Sequence, residues 1–417
     1  MGRRVAVVGA GYAGMAAAVS LAERGIPVTV FESGPLPGGR ARRVTLQGQT
    51  LDNGQHILVG AYEELFRLMR TVGVSSDALL RIPLEVRYAK GFAFRPLWLP
   101  APLGLLAGLL AAKGIPFRER LGALRFMRAL RRRGFDMPED MTVGALLEAH
   151  GQAGFVGRYL WAPLCVSALN TPVHRASAKA FLTVLRETLG GPAGASDLLL
   201  PRVDLSRLFP EPAAEFVARR GGEVRVRSAI GDLREMKDFD AVIVAVGPHQ
   251  LKTLLPDLAL DYSYQPIYTC YLQYADTVRL PFPMLGLAGG VVQWVFDRGA
   301  LLGERGRLAC VISAQGGHQE MTLEELAERC HGELAAAIPG LATPLWSRAI
   351  AEKRATVTCS PGAPRPPVVW NGVFLAGDYT DPLYPPTLEA AVRSGVRAAS
   401  AVVESLRHEA RNFEAVS

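Results

Sequence analysis

The chain has 417 residues, 49% of them hydrophobic, and carries 46 basic against 39 acidic side chains for a net charge of +7. That length suits two or three domains and that composition an ordinary soluble globular protein. The five cysteines (165, 270, 310, 330 and 359) form no C-x-x-C pair, which argues against a disulfide framework or zinc site and suits a reducing cytosol.

In chain order, the first predicted element is a short strand, Val5-Ala6-Val7-Val8, which follows Arg3-Arg4 too briefly to read as a signal peptide. It leads into Gly9-Ala10-Gly11-Tyr12-Ala13-Gly14 and an Ala-rich helix over Met15 to Leu21. In such a G-x-G-x-x-G turn Gly9 allows the tight bend, Gly11 lets a pyrophosphate approach the backbone, and Gly14 lets helix pack on strand. The helix N-terminus then offers free N–H groups to phosphate. A second strand, Val28 to Phe31, ends at Glu32, 18 residues after Gly14, where a carboxylate is expected on the adenosine ribose. Leu36-Pro37-Gly38-Gly39-Arg40-Ala41 follows, pairing a close-approach glycine with a fixed positive charge for pyrophosphate. Eight residues beyond Glu32, it points to FAD rather than NAD. Asp52-Asn53-Gly54-Gln55-His56-Ile57 then reads either as a turn before a strand or as chain passing a flat ring.

Leu103 to Ala112 is strongly apolar, and the run from Pro96 to Ala112 has 17 residues with three prolines, short of the ~20 a membrane span needs. Phe117 to Arg133 holds seven arginines (118, 120, 125, 128, 131, 132, 133) among Phe117, Leu121, Leu124, Met127 and Leu130 at helical spacing. An apolar patch beside an Arg-rich helix suits docking on anionic lipid through 97–133, against the plainer reading of a buried helix followed by a solvated one. No base-stacking aromatics alternate with the arginines, so no nucleic-acid partner is expected.

Further along, strands are predicted over Glu223–Val226 and Asp240–Val246, the latter ended by Gly247-Pro248. Another runs over Gly372–Ala376 into Gly377-Asp378, where an aspartate suits a ribityl hydroxyl or N–H groups near phosphate. Pro385-Pro386-Thr387 begins a helix to about Arg407, with Thr387 as N-cap. These alternations describe an α/β chain: a doubly wound, Rossmann-like FAD-binding domain in three segments (1–85, 205–260, 355–417). A mixed α+β substrate domain (86–204, 261–354) is interleaved with it, with strand-like stretches at Thr269–Tyr274 and Gly290–Phe296. The seven histidines show no metal-ligand spacing, and no second G-x-G-x-x-G follows a strand, so no metal and no separate nicotinamide domain are expected.

GAGYAG with Glu32, PGGRA and LAGDYT…TLEAAVRSG together resemble the flavin amine oxidase and carotene desaturase superfamily. DNGQHILVGAYEE resembles a segment of plant-type phytoene and zeta-carotene desaturases. A closer resemblance is to the squalene-associated FAD-dependent desaturase family, the hydroxysqualene dehydroxylases of hopanoid biosynthesis. It is carried by WAPLC (161–165), ALNTP (168–172), ASDLLLPRVDL (195–205), LFPEP (208–212) and EKRAT (352–356).

The resemblance implies reductive removal of the hydroxyl of hydroxysqualene to give squalene, with hydride passing from reduced flavin to an allylic cation. It implies that Gly9, Gly11, Gly14, Glu32, Gly39 and Arg40 hold adenosine and pyrophosphate. Ile230, seventh residue of the VRVRSAI strand segment, would meet adenine through its backbone. Gly54, Gln55, His56 and Ile57 would line the flavin, and Gly377, Asp378 and Leu388 would hold the ribityl chain and the N1/O2 edge. His56 and Tyr384 are the candidates for proton donation or cation stabilisation. Thr387 stands where amine oxidases place a cage tyrosine, which disfavours an amine substrate. The partners implied are a long isoprenoid, the cytoplasmic face of a membrane, and an external electron donor, NAD(P)H or another reductase. The alternative is a flavin desaturase acting on a carotene or other polyprenyl chain.

Overall fold

The computed structural model describes residues 3–97, 103–258 and 260–414. Its first layer is a six-stranded sheet in the order Glu223–Arg225, Val28–Phe31, Val5–Val8, Ala241–Val244, Val373–Leu375, Val369–Trp370. The first five strands are parallel and the last is an antiparallel edge. Val5 to Val8 form a central strand buried on both faces, which is why that strand is an unbroken apolar run rather than an alternating one. The helix Tyr12–Glu23 lies between this sheet and the C-terminal helix Leu388–Glu414; its small Ala-rich surface is buried almost all round.

A second sheet is antiparallel, in the order Met284–Gly286, Trp294–Asp297, Arg307–Ser313, Tyr264–Gln273, Trp346–Val357. Alternation along its strands sorts the side chains into two cores. Cys270, Leu272, Val295, Cys310 and Ile312 pack beneath the helix Leu323–Ala337. Tyr271, Trp294, Phe296, Ala309 and Val311 face the helical layer on the other side. The strand Trp346–Val357 runs unbroken through residue 355, where a domain boundary is expected. A small sheet also ties Leu58–Val59 and Leu79–Ile82 to Leu198–Pro201 across the expected boundary at 85.

The remaining layer is helical. The helix Phe117–Arg132 buries Ala123, Phe126, Met127 and Leu130, and half-buries Leu121 and Leu124. Arg118, Arg125, Arg128, Arg131, Arg132 and Arg133 are exposed, and Arg120 turns back onto the carbonyls of Leu110 and Ile115. The preceding apolar helix covers Leu103–Ala111, while 98–102 of the apolar run lie outside the described residues.

Several expected elements differ in extent, among them the strand over Asp240–Val246, which covers only Ala241–Val244. The strand at 223 ends at Arg225, because Arg227 takes a left-handed conformation (φ 54°). Ile230 therefore lies in the loop after that strand and not on it. The strand expected over Gly290–Phe296 begins only at Trp294, since the N–H groups of Val291 and Val292 bond the Glu333 carboxylate. The last helix runs beyond Arg407 to Glu414.

Candidate active site

A cavity of ≈ 640 Å³ lies between the two sheets. At one end its wall is backbone. Gly9 sits at φ +105°, and a Cβ there would come within 2.6 Å of the Ala245 carbonyl oxygen. A Cβ on Gly14 would come within 1.9 Å of the Gly9 carbonyl oxygen, so helix meets strand only because both residues lack side chains. Gly14 itself does not reach the cavity; Gly9, Gly11 and Gly39 do, with Tyr12 and Ala13 of the first helical turn. Gly11 and Gly38 form a parallel bridge that brings the PGGR segment against the opening turn.

Glu32 ends its strand at the edge of this cradle. Its carboxylate accepts the N–H groups of Ala10 at 2.9 Å and Gly34 at 2.7 Å, which fixes its aim. An ionised carboxylate has about four acceptor positions, so it retains capacity for a ribose. Ser228 N–H caps the Glu32 carbonyl, and Ser228, Ala229 and Ile230 close this end of the wall.

Arg40 and Asp378 were separate expectations, and the fold joins them. Arg40 donates to Asp378 at 2.7 Å and to the Ala355 carbonyl at 2.7 Å. The positive charge expected at pyrophosphate thus carries a carboxylate beside it. Gly377 is required for contact rather than for its torsion: it is extended, and a Cβ there would meet the Tyr379 ring. Thr387 Oγ1 accepts the Ala390 N–H at 3.2 Å and so caps the C-terminal helix, with Leu388 in the cavity wall at its first turn.

The loop carrying Gly54, Gln55, His56 and Ile57 borders the middle of the cavity and is held from behind by buried charge. Arg298, 1% exposed, donates to Asp52 at 3.0 Å, to Glu304 at 2.6 Å and to Gln55 Oε1 at 3.2 Å. Asp52 also accepts the Leu205 N–H, and its carbonyl accepts the Tyr271 hydroxyl. Burial pushes the Asp52 carboxyl up against the pull of Arg298, while Glu304, Tyr271 and Asp52 outweigh burial and keep Arg298 charged. Asn53 donates to the Arg40 carbonyl and to Glu352.

His56 borders the cavity while being enclosed by protein. Burial lowers its pKa to about 4, against a raising contribution from the Gly54 carbonyl, and Arg40 lowers it further. The ring is therefore neutral near pH 7, and Nδ1 has no partner.

Tyr384 faces the same cavity from the loop before the C-terminal helix. Asp381 pins that loop by accepting the N–H groups of Leu383 and Tyr384, and Arg397 holds Asp381 at 2.6 Å. Burial works against the Asp381 charge, but these bonds prevail and hold its carboxyl below the usual range. The Arg393 guanidinium lies 4.2 Å from the centre of the Tyr384 ring. Burial raises the Tyr384 phenol above its ordinary value, with Arg393 opposing, and its hydroxyl has no partner.

Beyond Tyr384 the wall turns apolar. Phe181, Val184 and Leu185 come from the helix Ala178–Thr188, Leu198 from its short strand, and Met284 and Trp294 from the antiparallel sheet. ALNTP has a structural part here. Asn170 ends the helix Ala162–Leu169 in a left-handed conformation (φ 44°). It donates to Thr356 and accepts the Ala314 N–H, clamping that helix to the second sheet.

Sequence reasoning missed Arg298, Asp381 and Arg393. Arg298 was detectable only as an arginine in an apolar stretch. Asp381 follows Gly377-Asp378 closely, yet nothing local marks it as the support of Tyr384.

These residues fit a dinucleotide: a backbone cradle that a Cβ would fill, a fixed carboxylate at one end and a capped helix N-terminus at the other. The fold and site define a flavin oxidoreductase. A profile described as "Flavin containing amine oxidoreductase" matches residues 12–403. The chain is 30% identical to the hydroxysqualene dehydroxylase of Rhodopseudomonas palustris, over 98% of this chain and 100% of that one. With the hydroxysqualene dehydroxylase of Zymomonas mobilis identity is 27%, over 94% and 97%. With the zeta-carotene desaturase of Synechocystis sp. it is 25%, over 96% and 97%. Among solved structures, wild-type putrescine oxidase bound to putrescine superposes with a TM-score of 0.70 at 16% identity, covering 97% of this chain and 99% of that one, a likeness of fold. The chain belongs to the flavin containing amine oxidoreductases and, within them, to the hydroxysqualene dehydroxylase family. It is an enzyme, and its cofactor is FAD.

Proposed function

We propose that the protein reductively removes the hydroxyl of hydroxysqualene, giving squalene for hopanoid biosynthesis. The observation that carries this reading is one continuous cavity. It joins the dinucleotide cradle to an apolar half, with Tyr384 in the wall between them, its hydroxyl buried and without a protein partner. An apolar half of that kind suits a hydrocarbon chain, and the phenol suits the one oxygen on it. Gly9, Gly11, Glu32, Gly39, Arg40 and Ile230 would hold the adenosine and pyrophosphate, with Gly14 acting behind them. Gly54, Gln55, His56, Ile57, Gly377, Asp378 and Leu388 would line the rest of the cofactor.

FAD, when bound and reduced, supplies the hydride. The remaining task is loss of hydroxide, a poor leaving group that must be protonated and depart as water. Tyr384 keeps its proton across the physiological range and donates to the substrate oxygen. His56, kept neutral by burial and with no protein partner at Nδ1, would stabilise positive charge on the allylic carbon. The apolar wall keeps water from that carbon. Overall, alcohol, proton and hydride become hydrocarbon and water, and an external donor, NAD(P)H or a reductase, restores the electrons.

Purified holoprotein incubated anaerobically with dithionite and hydroxysqualene is expected to yield squalene by mass analysis. New double bonds formed only with an added electron acceptor would replace this reading by a polyprenyl desaturase.

The substrate resides in lipid, and we place the enzyme peripherally on the cytoplasmic membrane face through 97–133. No described helix is long and apolar enough to cross a membrane. Arg118, Arg125 and Arg132 share one exposed stripe, and Phe117, 61% exposed, adjoins it. Changing these three arginines to glutamate should weaken binding to anionic liposomes by tenfold or more, since each basic residue contributes about 1 kcal/mol at such a surface. Unchanged binding would make this helix a plain solvated face.

A further inference from the structure

A second chamber of ≈ 50 Å³ adjoins the apolar half of the active-site cavity. Leu84, Leu164 and Leu189 belong to both walls and form the partition between them. Beyond that partition lie Phe94, Leu106 and Leu109 on one side, Met127, Leu160 and Trp161 on the other. Among the described residues, only Arg131 and Trp161 bring side-chain polar atoms to this wall. Trp161 Nε1 donates to Gln152 at 3.1 Å, and Arg131 donates to the Leu189 carbonyl at 3.1 Å.

A wall so largely apolar gives water little to bind, and apolar cavities accept apolar ligands. Where one water requires roughly 10–15 Å³, this chamber has about four waters' worth of room. That is the size of a branched five-carbon end. Close-packed interiors seldom leave such a space beside a binding cavity.

The substrate's shape supplies the other half of the argument, which rests on the dehydroxylase reading. Hydroxysqualene carries its hydroxyl near the joint of two equal prenyl arms. With the reacting carbon at the flavin, the arms must leave in different directions, so the site needs two apolar destinations. We propose that the chamber behind Leu84, Leu164 and Leu189 receives the terminal isoprene unit of one arm. Its wall, which includes Leu109 and Leu160, limits the chain length accepted.

Leu109→Trp and Leu160→Phe each fill the chamber from residues that line it and not the active-site cavity, and so leave the partition and flavin end alone. Leu109→Ala deepens it. The probes are squalene and analogues one isoprene unit shorter or longer, with binding to the full-length holoprotein measured in detergent. Both filling variants should bind squalene roughly tenfold more weakly, about the effect of losing two buried methylene groups. They should bind the shorter analogue as wild type does, and Leu109→Ala should gain affinity for the longer one. Melting curves establish that each variant is folded. The proposal is overturned if filling leaves squalene binding unchanged, if it weakens both ligands equally, or if Leu109→Ala does not favour the longer chain. Binding is read without turnover, so failure to convert hydroxysqualene would remove the dehydroxylase reading and leave this result standing.

Discussion

The two ends of the cavity are built from different materials. The dinucleotide end is backbone: Gly9, Gly11 and Gly39 form its surface, and its shape follows from the absence of side chains. The isoprenoid end is side chains, brought by a helix at 178–188, a strand at 198–201 and strands from 264 to 313. A backbone surface tolerates almost no substitution but recognises only what every dinucleotide shares. A side-chain surface can be repacked at small cost, and it determines which substrate enters. Between them stands a small polar zone, Tyr384 and His56, held by networks that belong to neither end.

Substitutions can break this contrast, and the largest effect is expected at the backbone end. Gly14→Val should abolish the folded flavoprotein, because its first carbon alone would lie 1.9 Å from the Gly9 carbonyl oxygen. Absence of flavin absorbance in the purified protein checks this, and a variant with full flavin content would overthrow it. The support behind the polar zone comes next. Arg298→Met leaves Asp52 and Glu304 without their shared cation, and breaking such a buried pair costs about 3–5 kcal/mol. Denaturant unfolding measures the loss; a change within about 0.5 kcal/mol, as at an ordinary surface site, would contradict it.

Tyr384→Phe should leave stability intact, since the hydroxyl it removes has no protein partner. Turnover should fall about 10²–10⁴-fold, the usual contribution of a positioned acid. Unchanged turnover would transfer the role elsewhere. His56→Ala should keep FAD and lose most activity, and full activity would remove His56 from the mechanism.

The smallest effect is a pH effect of the same imidazole. Unfolded, it takes its proton near pH 6.5; folded, only near pH 4. In that window the unfolded chain binds more protons, so wild-type stability falls as pH drops from 6.5 towards 4. The full linkage is about 3 kcal/mol, discounted to about 2 for water in the cavity. His56→Gln should lose about that much less over the same window, measured by denaturant unfolding at several pH values. Parallel losses in both proteins would contradict the burial assigned to this ring.

Much of the parallel sheet was legible because its residues obey local rules. Val5–Val8, the glycine turn, the Ala-rich helix and Glu32 occupy one continuous segment, and each is required by its immediate neighbours. The Thr387 cap was legible for the same reason: a hydroxyl three residues before the N–H it accepts is a purely local bond. Ile230 was misplaced onto a strand because VRVRSAI has strand composition throughout, while the break comes from the left-handed turn at Arg227. The strand expected from Gly290 was too long because Glu333, on a distant helix, takes the N–H groups that a neighbouring strand would have used.

The sequence by itself determined the dinucleotide cradle, its cofactor class and the family. Steric exclusion and hydrogen-bond geometry act between residues close in the chain, and short motifs record them. Tertiary structure decided what faces the substrate. It paired Arg40 with Asp378 and placed Arg298 under Gln55. It set Cys270 opposite Cys310 in register beneath the helix that carries Cys330, and it laid Arg393 over Tyr384. It also buried His56 enough to hold it neutral. Each depends on segments far apart in the chain converging in a low-dielectric interior, where the cost of an unpaired charge and the vacancy left by packing are properties of the whole fold.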